Sequence, residues 1–259
     1  AMLMALGPAV APTLGGFVLL VLPWPVIFLF LACYGVLMIL LLQVYLAESL
    51  PERQSLHPIN IARNYAQLVS DRGFLTVTIA SGLIYSALMA YLSSASFVYI
   101  DMLGVPVQYF GFIFLSTVVG YMAGSAISAR MASRYDSHQT MVAGALLCLL
   151  TTAIMWAGAS LHPESIWVLM LPMTLYAIGM GLILPHAMAI ALAPFPHIAG
   201  TASALLGFLQ MGLSAIGTAF VGSLLSNSPQ PMLVAMFIIT LGSFALSVLA
   251  LRSAREPAA

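Results

Sequence analysis

The chain has 259 residues, 62% of them hydrophobic and 5% charged, with a formal net charge of zero. A soluble globular chain carries roughly 25% charged residues, so the composition excludes a soluble domain and points to lipid as the surrounding solvent. The neutral balance gives no attraction for nucleic acid, and Cys33 and Cys148, both inside apolar stretches, read as small hydrophobes rather than as a disulfide or metal site.

Apolar stretches run over 2–22, 26–47, 74–98, 109–131, 140–160, 166–192, 199–226 and 231–251. Each is near or above the roughly 20 residues that a helix needs to cross the hydrocarbon core. They are too long for buried strands and lack the alternation of outer-membrane strands. Backbone groups in lipid must pair internally, so the expectation is an all-α membrane protein of eight spans.

The first stretch lacks a basic start and contains Pro8 and Pro12, which argues against a signal peptide. Gly7, Ala11 and Gly15 line one side of it at four-residue spacing, a face that permits close helix approach. After the second stretch comes the one long connection, 48–73. Within it Ile61, Tyr65, Leu68 and Val69 share a helical face, with Arg63, Asn64, Gln67 and Asp71 off it. This predicts a short amphipathic helix on the cytoplasmic surface. The expected organisation is therefore two helices in 1–47, a central loop in 48–73, a six-helix unit in 74–252 and a tail in 253–259.

The third stretch carries Tyr85 and Tyr91, with Asp101 at its outer mouth. Gly120, Gly124 and Ser128 mark a small-residue face in the fourth, followed by Arg130 and Arg134. The sixth holds Pro172 and Pro185, which bend a helix by removing backbone donors. It also carries Tyr176 and Met180 one turn apart, and His186 near its cytoplasmic end. In the seventh, Ser214, Thr218, Gly222 and Ser226 repeat the four-residue spacing, and Gln210 is the most central polar side chain. All seven basic residues are Arg: Arg53, Arg63, Arg72, Arg130, Arg134, Arg252 and Arg255. With alternating spans all seven fall on one side, which the positive-inside rule makes cytoplasmic, and both ends lie there too.

The run Gly7-Pro-Ala-Val-Ala-Pro-Thr-Leu-Gly-Gly16 resembles the fifth-helix antiporter motif of major facilitator multidrug exporters, with Gly7, Pro12, Gly15 and Gly16 matching and Ala11 standing for a Gly. Alanine there is similar to the Bcr/CflA subfamily. Tyr91-Leu-Ser-Ser-Ala-Ser-Phe97 and Gly104-Val-Pro-Val-Gln-Tyr-Phe-Gly111 look like that subfamily's seventh helix and the loop into its eighth. Gly124 to Arg134 resembles a degenerate loop motif with Ser128 in its acidic place. Pro185-His186-Ala187, Ala193-Pro-Phe-Pro196 and Ala199-Gly-Thr-Ala-Ser-Ala204 look like its tenth and eleventh helices.

The resemblance implies a partial major facilitator fold, helices five to twelve: two helices of the N-terminal lobe plus the complete C-terminal lobe. A fragment or truncated product lacking four N-terminal helices, not a complete pump, is expected. It implies proton-coupled efflux of small apolar or cationic drugs across the bacterial inner membrane, with protons as coupling ion and no cofactor or metal. The alternative is a non-transporting assembly or regulatory protein derived from a transporter. An enzyme is not expected, since neither a metal-spaced His cluster nor a Gly-x-Ser-x-Gly nucleophile is present.

Tyr85, Tyr91, Tyr176 and Met180 are candidates for the substrate cavity, with helix packing as the competing role. Gln210 either faces that cavity or bonds another helix. His186 is either linked to the proton or structural. Gly7, Pro12, Gly15 and Gly16 would pack the antiporter helix, and Arg130 and Arg134 are the basic residues of the cytoplasmic loop.

Overall fold

The computed structural model describes residues 18, 22–46, 57–162, 164–224 and 228–255. Eight α-helices occupy most of them: α1 Pro25–Tyr45, α2 Pro58–Ser70, α3 Arg72–Ser96, α4 Val107–Met131, α5 Ser137–Leu161, α6 Ile166–Leu192, α7 Ala199–Leu224 and α8 Gln230–Arg255. A π-helical turn, Phe97–Met102, extends α3, and a short 3-10 turn, Pro196–Ile198, precedes α7. All but α2 are long and apolar enough to cross a membrane, which makes seven candidate spans among the described residues. The expected first span, with Gly7, Pro12, Gly15 and Gly16, lies almost wholly outside the described residues, as does Arg53.

Local chemistry sets the helix starts. Pro25 and Pro58 open α1 and α2 in the first turn, where the missing N–H costs nothing. The Asp71 carboxylate accepts the Phe74 N–H at 2.6 Å and caps α3. Asp136 does the same for α5 through the His138 N–H at 2.8 Å. Arg252 and Arg255 lie in the last turn of α8, where the helix dipole favours cations. That helix continues to Arg255, three residues into the stretch expected as tail.

Helices α3 to α8 form one bundle around a continuous apolar core. The principal pairs are α5 with α6, α4 with α6, α3 with α7, α3 with α8, and α5 with α8, with α3 crossing α6. Exchanging α3 for α6, α4 for α7 and α5 for α8 maps this set of pairs onto itself. The lobe is thus two interlocked three-helix repeats, an arrangement typical of transporter lobes.

Glycine faces bring α6 against both neighbours. A methyl group on Gly120 would run into the Thr174 carbonyl, and one on Gly124 into the Ile178 carbonyl. On the other side of α6, a Cβ on Gly179 would stand 2.6 Å from Cys148 Sγ and 2.8 Å from the Gly144 carbonyl. Lipid supplies no hydrophobic drive between helices, so such backbone approach maximises dispersion contact.

The small-residue face of α7 differs from the sequence reading, while α2 forms as expected and presents its apolar row away from the bundle. On α2 only Leu68 is buried, while Ile61, Tyr65 and Val69 are exposed. The half-buried Asn60 and Asn64, two turns and one turn before Leu68, lie in the same row. The single extended residue Asp71 joins α2 to α3 and fixes the rotation of α2, so this row meets the ends of α3 and α7. On α7, Ser214, Gly217 and Val221 are buried, but Thr218 is half-buried and Gly222 exposed. A strict four-residue spacing drifts around a 3.6-residue helix, so the packed row steps by three and four instead. Ser226 lies outside the described residues.

Helix α1 stands apart from the lobe core. It is apolar around its circumference and has no buried residue among those described.

Candidate functional site

At one end of the lobe, α3 and α4 diverge and leave a pocket of about 160 Å³. Tyr91, Leu92 and Ala95 line it from α3, and Phe110, Ile113, Phe114 and Thr117 from α4. Tyr91 is anchored from below by Tyr99: their hydroxyls are 2.7 Å apart and their rings meet edge to face. Tyr99 in turn stacks edgewise on Phe110. In a regular α-helix, position 99 would sit about 80° past position 91. The π-helical turn rotates less per residue and returns Tyr99 to the Tyr91 side, a distortion often found at functional sites. Beyond it Gly104 adopts φ of 67°, a left-handed turn that favours glycine.

Tyr85 lies on α3 and is half-buried, packed against the core. Tyr176 is fully buried; its hydroxyl donates to the Ile84 carbonyl at 2.6 Å. Met180, one turn later, is also buried in the lobe core. Gln210 is half-buried and its Nε2 donates to Ser81 Oγ at 3.1 Å, joining α7 to α3. Of these candidates only Tyr91 lines the pocket.

His186 lies at the opposite end, near the close of α6. Its Nδ1 is 3.1 Å from Ser137 Oγ at the first position of α5, and its Nε2 is buried with no partner among the described residues. Ser128 of α4 and Asp136 before α5 face the same ring. Arg130 and Arg134 are exposed beside this junction. Among the described residues the one ion pair is His138 with Asp136 at 3.4 Å, so neither Arg closes a salt bridge there. Ser128 is buried where the loop motif would place an acid. No described group of His, Cys, Asp or Glu is arranged to hold a metal ion.

The partners Tyr99, Thr117, Ser81 and Ser137 are absent from the sequence reading, and Phe110 enters it only as part of the Gly104–Gly111 run. In a regular helix Tyr91 and Tyr99 would stand about 80° apart, and nothing in the sequence signals the π turn that brings them together. The other partners sit on different helices, whose rotations a sequence does not reveal.

Among the described residues no charged side chain is fully buried in the interior. Asp101, Asp136, Glu164 and all described Arg residues are exposed, and Asp71 is half-buried at a helix start. A carboxylate or ammonium at mid-bilayer is costly and marks an ion path where it occurs.

The model of the Major Facilitator Superfamily matches residues 1–218. The chain is 31% identical over 248 residues to YdgK, an uncharacterized MFS-type transporter of Bacillus subtilis, covering 93% of this chain and 61% of that protein. It is 28% identical over 234 residues to the bicyclomycin resistance protein homolog of Haemophilus influenzae, covering 89% and 58%. To multidrug resistance protein D of Escherichia coli it is 27% identical over 232 residues, covering 86% and 55%. The chain thus spans between 55% and 61% of the length of these curated relatives.

Proposed function

This chain belongs to the Major Facilitator Superfamily, and on that premise we propose that it acts in drug efflux, as a Bcr/CflA-type exporter of small apolar or cationic compounds driven by proton antiport. The membrane would be the bacterial inner membrane, with both ends of the chain cytoplasmic. The observation that carries the reading is the lobe α3–α8, built of two interlocked three-helix repeats crossing at α3 and α6. Repeats of this kind rock around a midplane site and expose it to each side in turn. The glycine-faced seams of α6 are smooth, close surfaces along which such movement is possible.

Supporting the substrate class are the names of the Haemophilus influenzae and Escherichia coli relatives. Supporting the orientation, Arg72 starts α3, Arg130 and Arg134 flank the end of α4, and Arg252 and Arg255 close α8. With alternating spans those ends share one side, the cytoplasmic one under the positive-inside rule. In this reading His186 is the proton-linked candidate, because it is the one buried titratable imidazole among the described residues and lies at that side's helix junction. Tyr85 faces the drug path, and Tyr91 contacts the smaller apolar compounds.

The test is ethidium efflux from pump-deficient cells expressing residues 1–259, with and without a protonophore. Efflux above empty-vector cells that collapses with the protonophore is expected. Membrane-inserted protein with no efflux would sink the reading and leave a non-transporting membrane protein.

A further inference from the structure

We propose that the pocket between α3 and α4 binds a single uncharged six-membered ring bearing one hydrogen-bonding substituent. The inference goes beyond the transport reading, because it concerns binding by this lobe alone. Size decides the ring count. The pocket measures about 160 Å³, close to the about 150 Å³ of an engineered apolar cavity that takes one benzene. A fused two-ring compound would leave its second ring outside unless the pocket is enlarged.

Wall chemistry decides the charge. None of the seven lining residues is ionisable at neutral pH, and five of them, Leu92, Ala95, Phe110, Ile113 and Phe114, are purely apolar. A charged ligand would lose its hydration there without an opposite charge in return. The aromatic walls favour edge-to-face or offset contacts with a ring.

Two hydroxyls set the polar substituent. Thr117 is buried, and its Oγ1 reaches only the Ile113 carbonyl of its own helix, at 3.5 Å, the long limit of a hydrogen bond. The Tyr91 and Tyr99 hydroxyls bond each other, and either can be the donor. That bond uses one of two protons, and the second has no acceptor among the described residues. When Tyr99 donates, Tyr91 is free to donate to a ligand oxygen at the pocket wall. The edge contacts among Tyr91, Tyr99 and Phe110 hold this donor in place before any ligand arrives.

The test is fluorine NMR of para-fluorophenol titrated into the chain in lipid nanodiscs, with para-fluorobenzoate as the charged control. Saturable binding of the phenol and none of the benzoate is expected. Ala95→Leu, which fills the pocket, should weaken phenol binding by about tenfold or more. Leu92→Ala, which enlarges it, should let a fluorinated naphthol bind about tenfold more tightly than it binds the unaltered chain. Unchanged phenol affinity in an Ala95→Leu protein with the parent's melting temperature would overturn the proposal, as would equal binding of phenol and benzoate. Should Ala95→Leu fail to fold, the Leu92→Ala titration decides, and no gain for the naphthol overturns it. Loss of efflux with phenol binding intact would count against the transport reading alone.

Discussion

The Tyr176 hydroxyl donates to the Ile84 carbonyl across 2.6 Å, linking the two helices, α6 and α3, that the repeat exchange maps onto each other. Cys148 Sγ donates to the carbonyl of Tyr176 itself at 3.4 Å, so one residue ties together α3, α5 and α6. Tyr176→Phe keeps the ring and removes this single bond. A loss of about 0.5–1.5 kcal/mol is expected, toward the lower end because bonds between membrane helices average about 0.6 kcal/mol. Unfolding measured by steric trapping in bicelles reads it, with the substrate profile unchanged. An altered profile at parental stability would instead put the hydroxyl on the drug path.

The α4–α6 seam admits a contrast between glycines. A Cβ on Gly124 meets the Ile178 backbone, which has no rotamer by which to yield, whereas a Cβ on Gly212 of α7 meets nothing within 4 Å. Gly124→Ala should therefore force the helices apart and destabilise by about 1–3 kcal/mol. Gly212→Ala should be neutral or stabilising by up to about 1 kcal/mol, since alanine is the better helix former. Melting temperatures of the two variants in one detergent decide it. Equal shifts would mean that the seam is looser than described.

The spans were legible because lipid leaves few options: a long apolar segment must become a helix. Rotation about each helix axis was not. Helix α6 is apolar on every side, so its sequence carries no phase from which to say that Tyr176 points at α3 rather than into a cavity. On α2 a phase was present and the helix forms: Leu68 packs against the lobe, while Ile61, Tyr65 and Val69 are left uncovered by it. The two possibilities for Gln210 were legible, but its partner Ser81 was not, since the pair lies 129 residues apart. The matching antiporter residues Gly7, Pro12, Gly15 and Gly16 fall outside the described residues.

That Gln210–Ser81 bond is measurable by a double-mutant cycle. Gln210→Ala, Ser81→Ala and the double variant should show a coupling of about 0.6 kcal/mol. Gln210 is half-buried and retains its amide oxygen for other contacts. Its alanine variant should therefore change the drug profile more than the amount of protein in the membrane. Zero coupling, with an unchanged profile, would remove both roles.

Asp71 is the hinge between the surface helix and the lobe. Asp71→Ala deletes the acceptor for the Phe74 N–H and should cost about 1 kcal/mol, while Asp71→Asn, itself a good cap, should restore most of it. The readout is amide hydrogen exchange in the first turn of α3. Faster exchange in the alanine variant alone is the expected pattern, and equal exchange in both would indicate that charge rather than capping matters.

The two cysteines report whether α1 stays outside the bundle. Cys33 is exposed on α1, and Cys148 is wholly buried between α5 and α6. In native membranes a lipid-soluble pyrene maleimide should label Cys33 well before Cys148, because reaction at Cys148 requires the α5–α6 seam to open. The Gly144–Gly179 approach holds that seam, with Cys148 Sγ in the way of any Cβ at position 179. Gly179→Ala should therefore raise Cys148 labelling and leave Cys33 unaffected. Preferential labelling of Cys148 in the unaltered chain would mean that α1 is covered and that the α5–α6 seam is open in the membrane.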